Sequence, residues 1–151
     1  MGERSKREIL AESPLFRNLL PPELDLLIDL VTEREYRAGD VVFSEGEPGD
    51  SLFLVADGAV EVLTKDPAGT SVTLAVVESP YFFGEMSLID KEHRSATVRA
   101  RADTCLLQLT NDNLHVFAKN FRNGFTWVVV NIARVLSARL REANRRFITK
   151  R

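Results

Sequence analysis

The chain has 151 residues, 44% of them hydrophobic and 28% charged, which suffices for one compact domain and is too little for two well-packed ones. Its formal charge of −2 hides an asymmetry: residues 1–121 carry 12 Lys and Arg against 21 Asp and Glu, whereas residues 122–151 carry 8 against one. The single cysteine, Cys105, excludes a disulfide framework, and no run approaches the ~18 apolar residues of a membrane span, so a cytoplasmic protein is expected.

In chain order, Ser5 to Ala11 has the character of one or two helical turns, and Pro21-Pro22 opens a clearer helix at Glu23. There Leu24, Leu27, Ile28 and Val31 recur at helical spacing and form one apolar stripe. The period then changes to two. Val41 and Phe43, then Leu52 and Leu54 with Phe53 and Val55, then Val60 and Val62, then Val72, Leu74 and Val76 alternate in short runs, which predicts strands of about five residues. Turn clusters separate them at Ala38-Gly39-Asp40, at residues 45–50, at Asp57-Gly58 and at residues 66–69. Short strands at this spacing point to a sandwich or barrel.

Two more strands, Ser95 to Ala100 and Thr104 to Thr110, follow an interruption at Tyr81 to Arg94. Asn111 is expected to cap a helix reaching about Lys119, and a longer helix is expected to start near Asn123 or Gly124. Along that last helix Phe125, Val128, Val129, Ile132, Val135, Leu136, Leu140, Ala143 and Phe147 are spaced by three and four. Such a stripe has to be covered, by the strands or by a second copy of itself. Its basic charge is read as a solvated face that also pairs with the acidic body, or as a contact for an acidic partner.

The chemistry concentrates in the interruption, Phe83-Gly84-Glu85-Met86-Ser87-Leu88-Ile89-Asp90-Lys91-Glu92-His93-Arg94-Ser95. Gly84 lets the backbone approach a ligand, and a helical turn after it would present N–H groups to an anion. Arg94, nine residues beyond Glu85, has a guanidinium suited to forking onto phosphate oxygens. A carboxylate beside a phosphate would be repelled, so Glu85 makes sense as an acceptor for a hydroxyl such as a ribose 2′-OH. Alternatively, Glu85 and Arg94 pair with each other.

The run FGEMSLIDKEHRSATVRA resembles the phosphate-binding cassette of the cyclic-nucleotide-binding domain family, whose members include the catabolite activator protein and the regulatory subunits of cAMP-dependent protein kinase. Upstream, YRAGDVVFSEGEPGDSLFLVADGAVEV is similar to the β-roll of that family, with Gly39, Gly46 and Gly58 at its turns. The resemblance implies a mainly β fold with flanking α: a double-stranded β-roll (jelly roll) with N-terminal helices over 1–31, the roll over 32–110 with its cassette at 83–101, and two C-terminal helices over 111–151. It implies a single cyclic-nucleotide-binding domain spanning 1–151.

By the same resemblance Glu85 accepts from the ribose 2′-hydroxyl and Arg94 pairs with the cyclic phosphate, with Gly84, Met86, Ser87 and Ser95 completing the cradle. The Ser95 hydroxyl is implied as a phosphate contact, and in cGMP-preferring relatives a hydroxyl nearby also reaches the guanine amino group. Val62 and Leu74 are implied as apolar walls for the purine, and Arg139 as a lid over the base from the last helix, where the bacterial activator has small hydroxyl residues. The expected ligand is cAMP, with cGMP second, no cofactor and no catalytic activity. A homodimer through the last helix is the expected assembly, acting on an effector protein. The alternative is a roll that has lost its ligand and serves as a structural or interaction domain.

Other chemistry is poorly supported by the residues. Only His93 and His115 are present, too few for a metal enzyme on a jelly-roll frame, and no nucleophile–base constellation stands out. Cys105 precedes Leu106 and Leu107 and reads as a buried structural thiol. Phe125 and Trp127 read as packing residues. No helix-turn-helix follows the last helix, so direct sequence-specific DNA recognition by this chain is not expected.

Overall fold

The computed structural model describes residues 5–89 and 93–149, so cassette residues 90–92 lie outside the described residues. Eight strands form two four-stranded antiparallel sheets. One has the order β1-β8-β3-β6, with β1 at Thr32–Tyr36, β3 at Ser51–Asp57, β6 at Phe82–Phe83 and β8 at Thr104–Thr110. The other has the order β2-β7-β4-β5, with β2 at Val41–Phe43, β4 at Ala59–Lys65, β5 at Ser71–Glu78 and β7 at Thr97–Ala100. The expected β-roll is thus present. Five helices flank it: α1 at Lys6–Glu12, α2 at Pro21–Leu30, α3 at Met86–Ile89, α4 at Asn111–Asn120 and α5 at Arg122–Thr149.

The continuous apolar run of β3 reflects burial on both faces. Leu52, Leu54 and Ala56 join Cys105, Leu107 and Leu109 of β8 in a core shared with the helices, while Phe53 and Val55 turn inward to meet Val60, Val77, Phe83, Val98 and Leu106 between the sheets. Cys105 is buried in the first of these cores, and burial pushes its thiol pKa up, which suits a packing role. Two strands escape the period-two pattern. β1 (TEREY) is almost wholly exposed and is held by its ladder to β8, and β6 is only two residues long.

The helix ends follow capping chemistry, with one shift. Ser5 Oγ accepts from Glu8 N and starts α1. The cap of α4 is Thr110, whose Oγ1 accepts from Asn113 N at 3.1 Å, one residue before the expected Asn111. Val31 ends α2 as its C-cap instead of extending the stripe.

Two contacts orient α5. A β-carbon at Gly124 would overlap the buried Glu23 carboxylate, so only glycine lets the helix start this close to α2. Two turns further in, the buried Asn131 Nδ2 donates to Leu15 O (3.0 Å) and Arg17 O (2.9 Å). Val128 and Ile132 are buried against the body, with Phe125, Val135 and Leu136 packed beside them. The rest of the stripe is open: Val129 is 49% exposed, Leu140 62% and Phe147 60%. Trp127 also remains 36% exposed, with Arg134 lying over its ring.

Candidate functional site

A cavity of about 530 Å³ opens between the cassette, the second sheet and α5, within the size range of small-ligand pockets. Gly84, Glu85, Met86, Ser87, Arg94, Ser95, Val62 and Arg139 all line it. Residues far apart in the chain therefore share one site.

At one end stands Arg94, whose backbone is fixed by its N–H donating to Glu47 O (2.7 Å) and its carbonyl accepting from Gly46 N (2.8 Å). Its Nη2 donates to Ser51 O at 2.8 Å and Nη1 to Gly84 O at 3.2 Å, while Nε is buried with no hydrogen-bond partner among the described residues. Gly84, at φ +81°, leaves room for this approach: a β-carbon there would stand 3.0 Å from Arg94 Nη1 and 3.2 Å from Ser51 O. Burial pushes the Arg94 pKa below the usual arginine value, and the negative charges of Asp50, Glu47 and Glu85 oppose that shift. An arginine with spare donors in a half-buried cleft is suited to receive an anion.

Glu85 is buried at 5% exposure. Its partner is Arg139, not Arg94: Arg139 Nη1 reaches Glu85 Oε1 at 3.1 Å and Nη2 donates to Phe82 O at 3.3 Å. The alternative of a Glu85–Arg94 pair is thereby corrected, because the docked α5 brings a second guanidinium onto the carboxylate. Through Arg139 the basic α5 reaches the acidic body, and Arg145 and Arg146 also pair with Glu142 on their own helix.

The expected helical turn after Gly84 is α3, four residues long, and the single Ser87 hydroxyl proton is shared between Gly84 O (3.1 Å) and Ser51 O (3.3 Å), so the side chain braces the cassette turn. On the wall, Leu74 does not line the cavity. It is 56% exposed and lines an adjoining groove under α5. The reason is a register shift: Val62 pairs with Ala75 but Leu63 pairs with Thr73, leaving Leu74 as the extra residue of a bulge. Ala75 and Val77 line the cavity on that side.

Phe43, Glu78, Tyr81 and His93 line the cavity as well and were not singled out by sequence. Their types are ordinary for strand ends and turns, and only the ring closed by the two sheets gathers them. Among the described residues no group of three or more His, Cys, Asp or Glu could hold a metal ion, and no helix is long and apolar enough to cross a membrane.

A sequence profile described as the cyclic nucleotide-binding domain matches residues 33–121. The chain belongs to the cyclic nucleotide-binding domain family. A cyclic AMP receptor protein from Thermus thermophilus is 38% identical over 132 residues, 87% of this chain and 59% of that protein. Among solved structures, a cyclic nucleotide-binding domain from Methylobacillus flagellatus aligns with a TM-score of 0.84 and 29% identity, covering 97% of this chain and 82% of that one. The regulatory domain of Toxoplasma gondii PKA, solved with cAMP, aligns with a TM-score of 0.69 and 27% identity over 74% of this chain and 42% of that one. The chain thus spans about three-fifths of the length of its Thermus relative.

Proposed function

We propose that this domain senses a cyclic mononucleotide, cAMP first, and passes the bound state to an effector through α5, without catalysis of its own. One observation carries the reading: a single cavity holds an arginine with spare donors, Arg94, and a buried carboxylate, Glu85, whose side-chain partner among the described residues comes from α5. Arg94 with the backbone of Gly84, Met86, Ser87 and Ser95 receives the cyclic phosphate. Glu85 accepts from the ribose 2′-hydroxyl, Val62 and Ala75 flank the purine, and Arg139 covers it. The name of the Thermus relative, a cyclic AMP receptor protein, and the cAMP in the PKA structure support cAMP over other ligands. Thermal-shift measurements with cAMP, cGMP and a cyclic dinucleotide test this, because a ligand at 100 times its dissociation constant stabilises by about 2.7 kcal/mol. No shift with any of the three favours the ligand-free interaction roll.

The assembly is proposed to be a parallel homodimer through α5 in a cytoplasmic regulator. Val129, Ala133, Leu136, Leu140, Ala143 and Phe147 alternate at spacings of four and three, the a/d pattern of a two-stranded coiled coil, and three of them, Leu140, Ala143 and Phe147, lie on the part of α5 beyond its core contacts. Leu140→Glu should turn the dimer into a monomer by light scattering; a wild-type protein already monomeric at tens of micromolar would sink the assignment.

A further inference from the structure

The guanidinium of Arg94 sits in a slot, and one wall of that slot is aromatic. Phe43 of β2 has its ring centroid 4.0 Å from Arg94 Cζ, well inside the ~6 Å reach of a cation–π contact. The ring is fixed in turn by Phe53 and Phe83, at centroid distances of 6.1 and 6.0 Å, which stack on each other at 5.3 Å. Phe83 immediately precedes the cassette glycine, so the cluster joins the arginine's support to the turn that carries Glu85. Backbone completes the slot. The carbonyls of Ser51 and Gly84 take one hydrogen bond from each Nη, and a β-carbon at Gly49 would stand 2.8 Å from Nε and 3.0 Å from Cζ.

No carboxylate is bonded to this guanidinium among the described residues; its partners there are two neutral carbonyls and a ring. A carboxylate there would neutralise the cation and compete with an incoming phosphate. A ring face stabilises the charge without occupying any N–H, and it restricts the guanidinium plane, which a leucine of similar bulk does not do. Rings at this position therefore matter for more than core filling.

We infer that Phe43 is a positioning residue for the ligand-binding arginine, its ring face setting the plane in which Arg94 offers its spare Nη protons to a cyclic phosphate. The inference rests on the assignment of Arg94 as the phosphate contact. It assigns Phe43 no direct role in the ligand's recognition.

Phe43→Leu and Phe43→Tyr test it, with Phe43→Met as a second unringed variant should leucine disturb the fold. Two readouts are taken on each: cAMP affinity by titration calorimetry, and the NMR shifts of the Arg94 δ and ε protons in the unliganded protein. The leucine or methionine variant should bind about tenfold more weakly, with an unliganded melting temperature near that of the wild type. Tyrosine should restore binding to within about twofold of the wild type. Arg94 protons should lie upfield through the ring current in the wild type and the tyrosine variant, and return downfield in the unringed ones. Wild-type affinity in an unringed variant, or a tyrosine variant as weak as leucine, overturns the positioning role while leaving the sensor function standing. A wild-type protein that binds no cyclic nucleotide overturns both.

Discussion

The two ends of the cavity are held in different ways. Arg94 is locked by backbone: its own N–H and carbonyl are paired across the Gly46–Glu47 turn, both Nη atoms rest on main-chain carbonyls, and Phe43 supports the plane. Arg139 reaches the opposite end from a helix whose second half is largely exposed, and its side chain is 45% exposed. A group fixed by the sheet needs little reorganisation when ligand arrives, whereas a group carried by a partly free helix changes its contacts when the carboxylate it holds acquires a new donor. Under the proposed sensor function, the roll would supply affinity and α5 the response.

That contrast ranks the effects of substitution. Arg94→Leu should cost the most, roughly 2–5 kcal/mol of cAMP binding or about 30-fold to several thousand-fold in affinity. Its effect on the unliganded fold should be small, because Gly84 O and Ser51 O both keep a hydrogen bond from Ser87 Oγ. Calorimetry and a melting curve on the same variant separate binding from stability. A large fall in unliganded melting temperature with tight binding retained would invert the roles given to the two ends.

Glu85→Gln comes next. The amide keeps an acceptor for the ribose but loses the charge that strengthens its hydrogen bonds and draws in Arg139, so affinity should fall by about ten- to a hundredfold. Ligands without a 2′-hydroxyl sharpen the point: 2′-deoxy-cAMP should bind the wild type more weakly, yet distinguish little between wild type and Glu85→Gln. Equal losses for both ligands would remove the ribose role from Glu85.

Arg139→Ala should have the smallest effect on affinity. A half-exposed ion pair contributes at most about 1 kcal/mol after screening, so a change of no more than about fivefold is expected. That loss should appear mainly in the dissociation rate, which stopped-flow displacement of a fluorescent cAMP analogue measures. An affinity loss as large as that of Arg94→Leu would mean that both ends of the cavity are equally committed to the ligand.

Much of the roll was legible from sequence because strands write their environment into the residue pattern: β7 alternates more and less buried positions, while β3 and β8, buried almost throughout, read as short apolar runs. β1 was not, since its residues face solvent and its hydrogen bonds go to β8, with Arg34 Nε donating to Gln108 Oε1 at 2.9 Å. The position of Leu74 was misread for a related reason: alternation along Val72, Leu74 and Val76 looks regular, and only the ladder to β4 reveals the extra residue.

By itself the sequence determined the cassette, because Gly84, Glu85 and Arg94 lie within one short segment whose backbone chemistry is local. Tertiary structure decided which partner each received. Glu85 meets Arg139 across 54 residues once α5 is docked through Gly124 and Asn131, and Arg94, in the loop before β7, meets Phe43 of β2 once the chain has folded back on that strand. Residue types state what a side chain is able to bind, and packing in three dimensions selects which of the available groups comes within bonding distance.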